Sequence, residues 1–286
     1  MIAVTGASGQ LGRLVIKSLL NQTAPSNIIA LVRNADTVAD FAALGVTVRT
    51  ADYELPESYA EALKDVDKLL LISSSAVGQR TPQHASVINA AKANGVQLLA
   101  YTSILRTDVS PIMLAREHKE TEALIAASGV PAVLLRNGWY SENYTENLAP
   151  VLQHGAVIGH AGEGRIATAS RSDYAAAAAA VLLSNEDQAG KIYELAGDEE
   201  FSLSEYAAVV ASVSGKQVSY IDMPQQDLTN ALIGAGLPEG FAAMLADADA
   251  AIKSGWLTDS SKTLSRLIGR PTTPIADSIR NALSTV

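Results

Sequence analysis

The residues with the clearest chemical use lie at the start of the chain, where Met1-Ile2-Ala3-Val4-Thr5 runs into Gly6-Ala7-Ser8-Gly9-Gln10-Leu11-Gly12. Small residues let a backbone turn tightly and approach a ligand, and the free amides and dipole at the head of a following helix favour a bound pyrophosphate. A purely structural glycine turn is the competing account. The context answers it: an apolar strand precedes the turn, and Leu11, Leu14, Val15 and Leu19 follow on one helical face, giving the strand–turn–helix unit that such a motif needs. The spacing is Gly-x-x-Gly-x-x-Gly, one residue longer in its first turn than the Gly-x-Gly-x-x-Gly fingerprint. Gly12 is followed by Arg13 and Leu14, whereas a nucleoside-triphosphate loop requires Lys and then Ser or Thr. Hydrolysis of ATP or GTP is therefore disfavoured.

A second apolar run, Ile28 to Val32, ends at Arg33. An acidic residue at that point accepts hydrogen bonds from a ribose 2′-hydroxyl and selects NAD, whereas an arginine fork pairs with the 2′-phosphate of NADP. Arg33 points to NADP(H) as cofactor. Asp36 leaves NAD(H) open as the second choice. In an open parallel sheet the ligand lies outside the carboxyl ends of the strands, so other strand ends are candidates too. Asp52 can accept from the adenine amino group with Tyr53 packed beside it, or it can close a plain Asx turn. Ser73, Ser74 and Ser75 offer hydroxyls and close backbone approach to ribose and phosphate.

The elements that must position these groups alternate along the chain. Apolar, β-branched runs at 2–4, 28–32, 46–49, 68–72, 97–102 and 132–136 are separated by helical patterns near 10–21, 35–44, 56–64, 82–94 and 111–128. Thr81-Pro82 and Ser110-Pro111 are expected to start two of these helices, a cap residue before a proline. The alternation predicts an α/β fold, a Rossmann-type doubly wound parallel sheet with a smaller C-terminal substrate lobe. Residues 1–150 are assigned to the dinucleotide-binding domain and 151–286 to a mixed α/β substrate lobe, with a strand near 191–195 returning to the main sheet. Ser170 to Asp173 and Ser202 to Glu205 read as capping boxes. Helices are expected over 242–251 and 274–283, and they either cover a substrate cleft or complete the packing.

At 286 residues the chain can bury a sizeable core, and its net charge of −9 argues against a nucleic-acid or anionic-membrane surface. With no cysteine, disulfides, thiolate metal sites and cysteine nucleophiles are excluded. His84, His118, His154 and His160 show no ligand spacing, so no metal is expected. No apolar run reaches membrane-spanning length and no leader precedes the first strand, which suggests a cytoplasmic protein; a homo-oligomer is compatible with all of this.

Further along, Ala100-Tyr101-Thr102-Ser103 leads to a helix carrying Ala115-Arg116-Glu117-His118-Lys119-Glu120-Thr121-Glu122, and Leu135-Arg136-Asn137-Gly138-Trp139-Tyr140-Ser141-Glu142-Asn143 follows the sixth strand. With Gly6 to Gly12 and Leu69 to Ser75, these segments carry a resemblance that covers essentially the whole chain. It resembles the NmrA-like atypical short-chain dehydrogenase/reductase family, and within it the branch of bacterial type 2 NAD(P)H:quinone oxidoreductases, with triphenylmethane dye reductases as near relatives. The resemblance implies that Asn137, Gly138, Trp139, Tyr140, Ser141 and Glu142 contact the cofactor. Physically, Gly138 permits close approach, while Trp139 and Tyr140 offer a flat wall for a ring-shaped substrate; packing is their alternative role.

Ordinary short-chain dehydrogenases carry Tyr-x-x-x-Lys on the helix before that strand, where the lysine lowers the tyrosine pKa for proton exchange. Four residues before Lys119 stands Ala115. Alcohol oxidation by that pair is thus disfavoured, and His118, Lys119 and Glu122 are expected on a solvated helix surface. Ser103 then has no proton partner to serve. The resemblance implies hydride transfer from NADPH to a quinone, for which an acid/base tyrosine is unnecessary. A redox-sensing regulator that binds NADP(H) without turnover, or a reductase of triphenylmethane dyes or other conjugated acceptors, are the alternatives. No residue is assigned as catalytic; His84, Asn137 and Tyr140 are the substrate-lining candidates.

Overall fold

A computed structural model describes residues 1–146 and 148–284. Its strands are β1 (Ile2–Val4), β2 (Ile28–Val32), β3 (Thr47–Thr50), β4 (Lys68–Leu71), β5 (Leu98–Ile104), β6 (Ala132–Asn137), β7 (Ala156–Gly159), β8 (Arg165–Ile166), β9 (Ile192–Leu195), β10 (Phe201–Ser202) and β11 (Ser219–Asp222). Seven of them form one sheet in the order β3-β2-β1-β4-β5-β6-β9. β1 lies inside the sheet and pairs in parallel with β2 and β4, Ile2 lying opposite both Ile28 and Lys68. The order reverses at β1, so the crevice above its carboxyl end is where a doubly wound sheet accepts a ligand. β1, β2 and β5 are buried along their whole length. That explains why they read as continuous apolar runs: helices cover both faces, and no position is left to alternate toward water.

The helix Gln10–Leu20 buries Leu11, Val15, Ile16 and Leu19, with Leu14 partly covered. The alanine-rich helix Arg171–Leu183 packs against it. Two helix starts differ from expectation. The helix Arg80–Ala93 begins before Thr81-Pro82, and Pro82 sits in its first turn, where no intrahelical N–H is missed. The Thr81 hydroxyl donates to Glu120 instead of capping. Ser110-Pro111 precede a local turn, in which Ser110 accepts from the Ile112 amide, and the helix proper is Ala115–Ser128.

The chain divides into two compact units, the first made of Met1–Thr107, Arg116–Asn137 and Arg171–Glu194. The second comprises Asp108–Ala115, Gly138–Ser170 and the chain from Leu195 onward. The chain thus first leaves this unit at Thr107, rejoins it at Arg116 and leaves it again where β6 ends, at Asn137. The chain then returns to supply the covering helix Arg171–Leu183 and the edge strand β9. Within the second unit β7 pairs with β11 and β8 with β10, around a core that includes Trp139, Ile166, Tyr206 and Leu257. Its helix Leu203–Ser214 starts with a complete capping box: Glu205 N donates to Ser202 Oγ at 3.1 Å, and Ser202 N donates to Glu205 Oε2 at 2.9 Å. The two C-terminal helical patterns correspond to Glu239–Lys253 and Ile275–Ser284. Among the described residues no helix is long and apolar enough to cross a membrane.

Candidate functional site

At the carboxyl ends of β1, β2 and β4 the first unit contains a cavity of about 390 Å³. Its wall begins with the glycine turn. Gly6 has φ +58°, in the left-handed region that favours glycine. A Cβ on Gly12 would lie 2.3 Å from the Gly6 carbonyl oxygen, so only glycine lets the helix Gln10–Leu20 start this close to the turn. That helix is capped by Gly9 without any side-chain bond, and its first turn carries no acidic residue. The backbone amides at its head are thus free of competing side-chain acceptors and sit beside the cavity, the arrangement that suits a pyrophosphate. Gly6, Ser8, Gly9, Gln10, Leu11 and Gly12 all line the space. Ala7 does not; it is fully buried beneath the turn, which its amide ties to the Leu31 carbonyl at 3.3 Å.

Arg33 and Tyr53 stand on the same wall. Arg33 is exposed and makes no hydrogen bond or ion pair with any described residue. Arg13, by contrast, is engaged: it donates to Thr37 O at 3.0 Å, pairs with Asp40 and lies 4.7 Å over the Phe41 ring. Asp36, the residue that kept NAD(H) open, is exposed but does not line the cavity, and its amide donates to Asn34 Oδ1. Asp52 is also off the wall. Its Oδ1 accepts from the Glu54 amide at 3.1 Å, the Asx turn that its position allowed. Tyr53 instead pairs with Tyr59, their centroids 5.5 Å apart and tilted by 32°, and both rings line the cavity. Burial pushes both hydroxyls up, so they stay protonated. Tyr59 is absent from the residues read from sequence; its only signal is an aromatic in the first helix after β3.

Ser73, Ser74 and Ser75 line the opposite wall, on a loop held from three directions. Ile72 N donates to Thr5 Oγ1 at 2.9 Å, Ser73 N to Thr102 Oγ1 at 2.8 Å, and Ser74 N to His84 Nε2 at 2.9 Å. His84 is therefore a correction to the substrate-lining candidates. Its ring is fully buried and acts through Ser74 instead of facing a ligand. Because Nε2 accepts, the proton must sit on Nδ1, which donates to Thr121 Oγ1 at 2.9 Å, and that hydroxyl donates on to Glu117 O at 2.8 Å. Burial lowers the His84 pKa to about 4, with the nearby Arg80 charge adding to the shift. Gln83, the neighbour of His84, does reach the cavity wall and is a second residue the sequence reading lacks.

The helix behind this loop also departs from expectation. His118 is buried, bonded through Nδ1 to Tyr101 Oη at 2.8 Å and through Nε2 to Arg80 Nη1 at 3.4 Å. Arginine can only donate, so His118 is neutral with its proton on Nδ1, and burial lowers its pKa to about 3. The Glu117 carboxylate accepts from the Gly78 and Arg80 amides. Glu122 holds Arg136 through two bonds of 3.0 and 2.7 Å and takes a bond from Ser103 at 2.5 Å. Only Lys119 keeps the exposed position expected of the group. Ser103 thus has a partner, although a structural one.

Asn137 ends β6 almost fully buried, its Oδ1 without a hydrogen-bond partner among the described residues. Gly138 to Glu142 belong to the second unit and are not among the residues lining the cavity. There Trp139 joins the hydrophobic core, which is the packing role. Ser141 is fully buried and donates to Thr168 Oγ1 at 3.0 Å, while Tyr140 and Glu142 are partly exposed.

Comparison with known proteins agrees with this geometry. Residues 6–185 match a family model described as NAD(P)H-binding. The chain is 54% identical over 279 residues to quinone oxidoreductase 2 of Escherichia coli, covering 98% of this chain and 97% of that one. The crystal structure of the E. coli NADPH-dependent quinone oxidoreductase complexed with NADPH superimposes with a TM-score of 0.97 at 53% identity, covering 99% and 100% of the two chains. Triphenylmethane reductase of Citrobacter sp. complexed with NADP(H) gives 0.94 at 38% identity, with 99% and 100% covered. The chain belongs to the NAD(P)H-binding, NmrA-like family of atypical short-chain dehydrogenases/reductases.

Proposed function

We propose that this protein is an NADPH-dependent reductase that delivers hydride to a quinone. The observation that carries the cofactor choice is Arg33: an exposed guanidinium with no hydrogen bond or ion pair to the described chain, on the wall of a cavity whose glycine turn tolerates no Cβ at residue 12. Its planar fork suits a 2′-phosphate. In this reading Gly6 to Gly12 hold the pyrophosphate, Tyr53 and Tyr59 border the adenosine, and Ser73 to Ser75 approach ribose and phosphate. Asn137 offers a buried acceptor at the end of β6.

When bound, NADPH supplies a hydride from nicotinamide C4, and the quinone takes it with one proton to become a hydroquinone. The residues of this chain bind and orient; they do not provide the tyrosine acid of ordinary short-chain dehydrogenases, because Ala115 occupies its place. An electron-poor quinone suits such a site, since positioning two reactants supplies much of the rate. The likeness to the E. coli quinone oxidoreductase over nearly the whole chain supports the same acceptor class.

The test is NADPH oxidation by the purified protein with simple benzoquinones, beside NADH and protein-free controls. Enzyme-dependent loss of NADPH absorbance is expected. Binding of NADPH without turnover would favour a redox sensor, and turnover only with cationic dyes would move the acceptor to that class. Arg33→Ala is expected to weaken NADPH binding by about 10- to 100-fold, the size of a charge-assisted hydrogen bond, and to leave NADH binding unchanged. Equal weakening of both would remove the 2′-phosphate assignment.

A further inference from the structure

Gln83 lies on the helix Arg80–Ala93, beside the pinned Ser73–Ser75 loop, and lines the 390 Å³ cavity. Its Oε1 is buried and has no hydrogen-bond partner, and no described residue bonds the rest of its amide. A buried acceptor left unpaired is destabilising, and polar groups kept in that state are uncommon in folded chains. The backbone around Gln83 is not free to relieve it. Its own amide donates to Gln79 O at 3.3 Å, and the next residue, His84, is locked between Ser74 and Thr121. Gln83 thus brings to the cavity wall a buried acceptor that no described residue satisfies.

Resting on the dinucleotide reading above, we infer that Gln83 is a ligand-specificity residue whose amide oxygen accepts a hydrogen bond from a ribose hydroxyl of the bound NADPH. The chemistry of the rest of the wall limits the donor. The glycine turn suits phosphate, which has no donor at neutral pH, and Arg33 is itself a donor that suits phosphate. The ribose hydroxyls are the donors that lie next to phosphates in a dinucleotide, and Gln83 shares its wall with the Ser73–Ser75 loop assigned to the ribose and phosphate region. Either ribose can supply the hydroxyl, and the ligand used in the test separates them.

The experiment compares the wild type with Gln83→Met, which keeps the volume and removes the amide, and with Gln83→Asn, which keeps the amide but withdraws it by one methylene. Thermal midpoints of the ligand-free proteins and calorimetric binding of NADPH and of 2′,5′-ADP are measured. Gln83→Met is expected to melt at or above the wild-type temperature, because an unpaired acceptor has gone. It is expected to bind NADPH about 3- to 10-fold more weakly, the size of one neutral hydrogen bond. If 2′,5′-ADP binding is unchanged while NADPH weakens, the hydroxyl belongs to the nicotinamide-side ribose. If both weaken alike, it belongs to the adenosine side. Wild-type affinity for both ligands in both variants overturns the inference. Absence of NADPH binding by the wild type would instead overturn the dinucleotide reading on which it rests.

Discussion

Replacing His84 by Gln removes a titratable ring while leaving a carbonyl for the Ser74 amide, and it should change how stability depends on pH. The neutral tautomer is enforced by Nε2 accepting from Ser74 and Nδ1 donating to Thr121. Burial accordingly lowers the pKa from 6.5 to about 4. As pH falls, the unfolded chain takes up a proton through 6.5, but the native ring does not until about 4. The stability from neutral His84 is fully present above pH 6.5 and is lost as pH falls toward 4. At about 1.36 kcal/mol per pH unit, the whole window corresponds to about 3 kcal/mol. Urea unfolding of wild type and His84→Gln at a series of pH values from 7.5 to 4.5 gives the difference curve. At pH 7.5 the variant is expected to be less stable by about 1 kcal/mol for the lost Thr121 bond. By pH 4.5 it should have gained about 2–3 kcal/mol on the wild type. His118 is lowered mainly by burial and by the Arg80 charge, with His84 the smallest of its causes, so it contributes little to this difference. His84→Phe serves as the control for Ser74: it fills the space without an acceptor, so it should cost about 1–3 kcal/mol at pH 7.5. It should also speed exchange of the Ser74 amide. Parallel pH curves for wild type and His84→Gln would refute the enforced neutral tautomer.

Two other perturbations follow from the same kind of geometry. In the second unit, burial raises the Asp249 carboxyl from 3.8 to about 6, although its Oδ2 accepts from the His160 amide at 2.8 Å. The contribution of the protonated acid is present below pH 3.8 and is lost as pH rises through about 6, a change of about 3 kcal/mol. Asp249→Asn keeps an acceptor without the charge. It should be more stable than wild type by about 2–3 kcal/mol at pH 7.5 and about equal near pH 4; a variant less stable at pH 7.5 would show that the charge is favourable there. In the glycine turn, Gly12→Ala places a Cβ 2.3 Å from the Gly6 oxygen and 2.9 Å from the Ala7 Cα, both backbone. The helix head must move, at about 1–3 kcal/mol. NADPH affinity, measured by calorimetry, should fall at least 100-fold; retained affinity would mean that the turn does not hold the pyrophosphate.

The sheet was legible in the sequence because each strand from β1 to β6 is local: an apolar run of the right length bounded by turn residues. The return of the chain was half legible. Ile192–Leu195 reads as a strand, but the break at Asn137 depends on where β6 stops pairing with β5, and nothing in the residues near 150 distinguishes that point. The two Ser/Thr-Pro pairs misled because proline is tolerated anywhere in the first turn and also in turns outside helices. The glycine turn, Arg33, Tyr53 and the three serines come together on the cavity because each follows shortly after its strand. His84 was placed on the wrong side of its loop, and Gln83 and Tyr59 were missed, since their positions depend on the tertiary neighbourhood of helices that look ordinary in sequence.

The polar helix Ala115–Ser128 was the larger misreading, and the reason bears on function. Charged positions on a helix are usually exposed, yet here Glu117, His118, Thr121 and Glu122 direct their polar atoms to the β4 loop, to Tyr101, to His84 and to Arg136. Each of these contacts joins residues at least 14 positions apart, and two of them act on the loop after β4, Glu117 directly and Thr121 through His84 and Ser74. In a Tyr-x-x-x-Lys enzyme the same helix presents a proton donor to substrate. With Ala115 in that place, this helix has no such donor to present there, and its Glu117 and, through His84, its Thr121 hold the loop that lines the cavity. A reductase whose acceptor needs hydride and correct placement, and no tyrosine acid, is the kind of enzyme in which that exchange of proton chemistry for positioning carries no penalty.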